Sequence, residues 1–171
     1  MKKYFIGATL GIGFFIICGF LFVISGAMPV ATAGTPLPLE RWVAELAIHA
    51  AMRGQTDLKP SVLEDEINLL AGAKIYSMNC AVCHGIPKRE RSLIAQGLFP
   101  KPPALLEKED AVTDDETGKI YWFVKNGIRL TGMPGFVNRL SETELWQVSL
   151  FLKNADKLPA SVNSYLDDQA K

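Results

Sequence analysis

The chain has 171 residues, 49% of them apolar, which is enough for one compact domain with an appendage. Its 18 basic residues are balanced by 18 acidic ones, so charge excludes a nucleic-acid binder.

Lys2 and Lys3 are followed by YFIGATLGIGFFIICGFLFVISGAMPVATAG, and no charge reappears until Glu40. A secretory signal has an apolar core of about 7–15 residues and a small-x-small cleavage site, which Ala31-Thr32-Ala33 supplies. A membrane-spanning helix needs about 20 apolar residues, and the stretch from Tyr4 to Ile24 reaches that length. Length favours an uncleaved inner-membrane anchor, with a signal cleaved after Ala33 as the alternative. Both leave the lysines cytoplasmic and everything beyond the segment exported to the periplasm. Cys18 follows Ile17 rather than a small residue, which argues against lipidation and for a buried apolar side chain.

Thr35 to Pro60 opens as a Pro-punctuated linker and continues with Trp42, Val43, Leu46, Ala47 and Ala50 at helical spacing, ending near Gly54. His49 on this helix reads as a surface histidine. Beyond Pro60, the pairs Ser61 with Glu64, Thr113 with Glu116 and Ser141 with Glu144 are capping boxes that predict helix starts. Apolar residues follow each at three- and four-residue steps. They are Leu63, Ile67, Leu70 and on to Ile75; Ile120, Phe123 and Val124; and Leu145, Val148 and Leu152 with Trp146 and Phe151. Between these helices GLFPKPPALL and NGIRLTGMPGFVNRL are too rich in Gly and Pro for regular structure. No segment alternates well enough to predict a strand. The expectation is an all-α chain. It divides into an N-terminal anchor or signal over 1–33, a linker with a short amphipathic helix over 34–60, a helical domain over 61–158 and a tail over 159–171.

Long loops in a small helical domain suit a chain that wraps something. NCAVCHG, Asn79 to Gly85, sets Cys80 and Cys83 three residues apart with His84 directly behind. Structural zinc would need four ligands, and the exported part adds only His49. A thioredoxin-like site would need a βαβ setting. A disulfide between the two cysteines suits an exported protein but leaves His84 without a role. The remaining reading is heme c, held by two thioethers with the imidazole on iron, although chance occurrences of this motif exist. An electron-transfer heme wants a sixth ligand. Met52 lies in the outlying helix and Met78 is too close to Cys80 to reach the opposite face, which leaves Met133 in TGMPGF. His84 and Met133 are thus the candidate iron ligands.

From about Ser61 to Leu158 the chain resembles class I c-type cytochromes, small helical proteins wrapped around one covalently bound heme. The resemblance is carried by AGAKIYSMNCAVCHG, LFPKPPALL, GKIYWFVKNGIRLTGMPGF and LSETELWQVSLFLK, in the family's order. It implies that the first and last helices cross near Gly72, Tyr76, Trp146 and Leu150. It also implies that a proline carbonyl from Pro100 to Pro103 holds the free nitrogen of His84, and that Tyr121, Trp122 and Phe136 line the heme crevice, with plain core aromatics as the equal alternative for these three. The Thr35 to Pro60 helix has no counterpart in the family's minimal pattern. The resemblance further implies a non-enzymatic, membrane-tethered one-electron carrier between respiratory or dehydrogenase partners. The alternatives are a peroxidase- or sensor-type protein in which Met133 dissociates, and a dedicated cytochrome subunit of a dehydrogenase or oxidase complex.

In the family the exposed heme edge is ringed by residues after the attachment motif and by the ligand loop. Between His84 and Pro103 stand Lys88, Arg89, Arg91 and Lys101 against Glu90 alone, and between Lys125 and Arg139 stand Lys125, Arg129 and Arg139 with no acid. The expected redox partners therefore offer an acidic docking surface.

Overall fold

The computed structural model describes all 171 residues, and its regular structure is entirely helical. The helices are α1 (Lys2–Ile24), α2 (Glu40–Met52), α3 (Glu66–Asn79), α4 (Ala81–His84), α5 (Leu93–Gly97), α6 (Thr117–Asn126), α7 (Glu142–Lys153) and α8 (Ala160–Gln169). The chain divides into two compact units, Met1–Trp42 and Val43–Lys171.

The first unit is dominated by α1, whose 23 residues bury nothing. At 1.5 Å per residue such a helix is about 35 Å long, enough to cross the hydrocarbon of a bilayer. Length and apolar composition mark it as a membrane-spanning helix or a signal sequence.

The second unit is built on α3, α6, α7 and α8, which share one apolar core. Its most enclosed side chains include Tyr76, Tyr121, Leu145, Val148, Leu150, Phe151 and Val162. The α3–α7 crossing is close because Gly72 has no side chain. A Cβ there would lie 2.2 Å from the Gln147 carbonyl oxygen and 2.7 Å from Phe151 Cβ. One turn on, the Tyr76 and Phe151 rings meet with centroids 5.4 Å apart. The crossing is thus centred on Gly72, Gln147 and Phe151. Trp146 lies to one side, stacked at 4.0 Å on Tyr121 of α6. Because the clash at Gly72 is with backbone, Gly72→Ala should destabilise the domain by about 2–3 kcal/mol, read as a lowered thermal midpoint. An unaltered midpoint would contradict this account of the crossing.

The helix starts depart from two of the three predicted caps. Ser141 and Glu144 form both bonds of a capping box at the start of α7. At α3, however, the cap is Asp65, whose carboxylate accepts from the Asn68 N–H at 2.9 Å, so Ser61 and Glu64 lie outside the helix. At α6 the cap position is Glu116 itself, with no side-chain bond, so Thr113 is not a cap. Each sequence pair satisfied the spacing rule, but Asp65 is itself a strong cap residue adjoining the buried face. That face is also shifted. Leu63 and Ile67 are 76% and 79% exposed, and α3 buries Leu69, Gly72, Ala73, Ile75 and Tyr76 instead.

Residues 160–169, expected as tail, form α8 with Val162 and Leu166 in the core. The helix is tied to the domain by Ser161, which donates to Glu66, and by a Lys88–Asp167 pair at 2.8 Å. Only two of its side chains are deeply buried, so the apolar signal in the sequence was weak. The segment after α2 is likewise part of the domain rather than outside it. Met52 is 5% exposed, and the Trp122 indole donates to Gln55 Oε1 at 3.2 Å.

Candidate heme-binding site

α3 runs through its buried Tyr76 directly into the cysteine motif. The Cys80 carbonyl accepts from the N–H of Cys83 at 3.0 Å and of His84 at 2.9 Å, winding the motif into the single turn of α4. Gly85 ends the turn at φ 81°, a left-handed conformation that favours glycine. Its carbonyl accepts the Tyr76 hydroxyl at 2.8 Å. Burial raises the Tyr76 pKa, which keeps the phenol protonated as that donor. The core thereby fixes where the motif leaves the helix.

Cys80 and Cys83 are free thiols, both half-buried, so no disulfide closes the motif. Burial, helped by the nearby Cys83, pushes the Cys80 thiol up to about 12. His84 is shifted the other way. Burial lowers its pKa, the Pro103 carbonyl opposes this, and the Arg91 guanidinium adds to the lowering. His84 Nδ1 lies 2.9 Å from the Pro103 carbonyl oxygen. A carbonyl only accepts, so Nδ1 carries the hydrogen and Nε2 keeps its lone pair.

The facing segment is the loop after α6. Gly127 ends that helix at φ 66°, and a Cβ there would lie 2.5 Å from the backbone of Pro134 and Gly135. This close approach folds the loop back onto the helix end. The Ile128 N–H donates to the Met133 carbonyl at 3.1 Å, and the Phe136 N–H donates to the Val124 carbonyl at 3.1 Å. Thr131 steadies the turn from inside: its hydroxyl donates to the Ile128 carbonyl at 2.7 Å and accepts from the Met133 N–H at 3.1 Å.

Together these segments enclose a cavity of about 260 Å³. Cys80, Cys83 and His84 line it from α4, Met133 and Phe136 from the ligand loop, Pro100 to Pro103 and Leu105 from the proline loop, and Ile120, Phe123, Val124 and Leu152 from the core helices. All four residues singled out in the sequence meet in this one cavity. His49 and Met78 are exposed and outside it, as is the buried Met52.

Two of the three crevice aromatics expected from the resemblance do not line the cavity. Tyr121 points into the α6–α7 contact, where its hydroxyl donates to Glu142 at 2.8 Å, and Trp122 faces Gln55. The lining ring from α6 is Phe123, which shares a helical face with Ile120 and Val124 and could have been found from that spacing. Arg91 was counted only as a surface charge. Its Nη2 donates to the Pro102 carbonyl, while its Nε is buried without a partner.

Residues 68–152 match the family model described as cytochrome c oxidase, cbb3-type, subunit III. This segment is a class I c-type cytochrome domain. No curated protein matches the chain. Among solved structures, a chain of the reducing HAO-like protein complex of Kuenenia stuttgartiensis is similar, at 24% identity and a TM-score of 0.47. The match covers 55% of this chain and spans 46% of the other. A cytochrome c domain implies heme c and an electron-carrying role.

The basic ring around the cytochrome c crevice is partly neutralised by its own fold. Lys88 pairs with Asp167 of α8, Arg89 donates to the Gln169 carbonyl, and Arg91 is spent on the proline loop. Lys125 leans on Tyr121 and lies 4.0 Å from Glu142. Lys101 and Arg129 remain exposed at the proline and ligand loops, as does Arg139 beyond the latter.

Proposed function

We propose that the protein is a one-electron carrier with a single heme c, attached by thioethers to Cys80 and Cys83 and ligated by His84 and Met133. The carrying observation is the convergence of these four side chains on one cavity, with the His84 Nδ1 already committed to Pro103. The donor set fits the group. Both thiols are free, the imidazole Nε2 is unprotonated, and a thioether suits iron that must cycle between ferric and ferrous. The unpartnered Nε–H of Arg91 is a buried positive donor close to His84, although Arg91 does not itself line the cavity. When bound, the heme supplies reversible one-electron exchange.

The chain's own residues set the conditions for that exchange. Pro103 fixes the tautomer and ring orientation of His84. Phe123, Val124, Leu152 and Phe136 keep water from the cavity, which limits the reorganisation that accompanies each change of charge. The loop closed by Gly127 and Thr131 fixes the backbone at Met133, so that its thioether would be held for the heme iron in preference to a substrate. The domain is exported, with α1 retained as its inner-membrane anchor.

A redox titration of the purified holoprotein should follow a single one-electron curve, and the oxidised protein should show a methionine–iron charge-transfer band. Rapid carbon monoxide binding by the untreated reduced protein would favour the peroxidase or sensor class and overturn the carrier reading.

The redox partner is proposed to present an acidic surface to Lys101 and Arg129, which with Arg139 are the ring cations that the fold leaves exposed and without an ion pair. Reversing both to Glu should slow the bimolecular reaction by about tenfold at low salt while leaving the heme spectrum unchanged. Reversing Lys88 or Arg89 should act mainly by loosening α8. A rate constant that stays flat as ionic strength rises from about 10 to 200 mM, while the Debye length falls from about 30 to below 10 Å, would exclude this docking mode.

A further inference from the structure

We infer that α2 is a membrane-interface helix, seated by its exposed apolar face on the surface of the bilayer that holds α1. The inference rests on retention of α1 as an anchor and adds a second, peripheral contact with lipid.

Trp42, Val43, Leu46 and Ala50 fall on one side of α2 by helical spacing. The first three are 60%, 53% and 55% exposed. The opposite side is occupied: Met52 is buried in the second unit and Ile48 is half-buried. The segment that follows is clamped to α6, because Gly118 brings its backbone so close to Thr56 that a Cβ there would lie 1.9 Å from the Thr56 carbonyl oxygen. The apolar stripe therefore faces away from the domain's own core, and the charged Glu40, Arg41 and Glu45 lie off it.

The occupant follows from what stands upstream. No charged residue occurs between Tyr4 and Leu39, so the chain between the anchor and α2 can lie against headgroups without burying a charge. The connection from Ile24 to Glu40 spans at most about 58 Å even when fully extended. A helix tethered so closely meets the bilayer at high effective concentration, so modest apolar area suffices for binding. Trp42 leads the stripe, and indole is a side chain that favours the headgroup boundary. The covered Met52 side and the open Trp42 side favour lipid.

The test uses the full-length holoprotein, purified without partners and reconstituted in nanodiscs of phosphatidylcholine carrying a photoactivatable diazirine on the acyl chain. Cross-linked peptides are then mapped by mass spectrometry. Cross-links in both residues 4–24 and residues 40–52 are expected. In Val43→Gln/Leu46→Gln those in α2 should fall about tenfold while those in α1 persist, with an unchanged heme spectrum reporting an intact domain. Cross-links confined to α1 would overturn the inference and leave the anchor standing, which would point to a protein surface as the occupant. A mature protein that begins after Ala33 would overturn both.

Discussion

Replacing Cys80 and Cys83 together by alanine is expected to abolish heme retention and, with it, the fold of the cytochrome c domain. The cavity of about 260 Å³ is walled by Leu105, Ile120, Phe123, Val124 and Leu152, side chains that in a small domain would otherwise pack on one another. Left unfilled, a void of this size costs at most about 6 kcal/mol at roughly 24 cal/mol per Å³, the rate for a closed cavity, whereas this one opens to solvent. That is comparable to the whole stability of an ordinary domain, about 5–15 kcal/mol. Filling it by collapse is obstructed by the α3–α7 crossing, where Gly72 already stands against the Gln147 backbone. Binding free energy is folding free energy in such a case. Single substitutions keep one thioether and His84, so they should weaken retention without eliminating it. The measurement is far-ultraviolet circular dichroism with thermal melting of the purified double variant. Native-like helicity with a cooperative melt in the heme-free protein would sink the claim.

Met133→Ala is expected to leave heme attached and to lower its reduction potential. A thioether stabilises ferrous over ferric iron, and losing it should cost on the order of 0.1–0.2 V, about 2–5 kcal/mol for one electron. The change is local. Ile128 bonds the Met133 carbonyl and Thr131 bonds its N–H, both through backbone atoms that alanine retains, so the loop should keep its course. The emptied position should admit carbon monoxide in the reduced state, which the parent protein should resist. Potentiometric titration with visible spectroscopy reads both effects. An unchanged potential and spectrum would show that another side chain is the sixth ligand. His49, exposed on α2 and outside the cavity, is the residue such a result would bring back into question.

What the sequence by itself determined was the chemistry and the order of the parts. Cys80, Cys83 and His84 are legible because their relation is local, three residues apart and then adjacent, and one helical turn suffices to realise it. Met133 is legible because the glycines around it exclude a core helix. The apolar faces of α6 and α7 follow from their three- and four-residue spacing. Ser141 and Glu144 cap α7 as their spacing requires.

Tertiary structure decided everything that depends on which neighbours compete for a side chain. Only the folded position of Pro103 brings its carbonyl to His84.

 The loop holds three prolines, Pro100, Pro102 and Pro103, with Lys101 after the first, and local sequence ranks none of them above the others as the partner of His84. Tyr121, Trp122 and Phe123 are consecutive aromatics on one helix. Which of them faces the cavity depends on where α7 packs, and α7 claims Tyr121 through Trp146 and Glu142. Asp65 displaced the Ser61 box at α3 because the helix must begin where its buried face begins, at Leu69, Gly72 and Ala73 rather than at Leu63 and Ile67. α8 was unreadable because Val162 and Leu166 are too few to make a pattern, yet they suffice once α3 offers a surface to cover. The basic ring shrank for the same reason: α8 brings Asp167 to Lys88 across 79 residues of sequence, a meeting that chain-local charge counting cannot see.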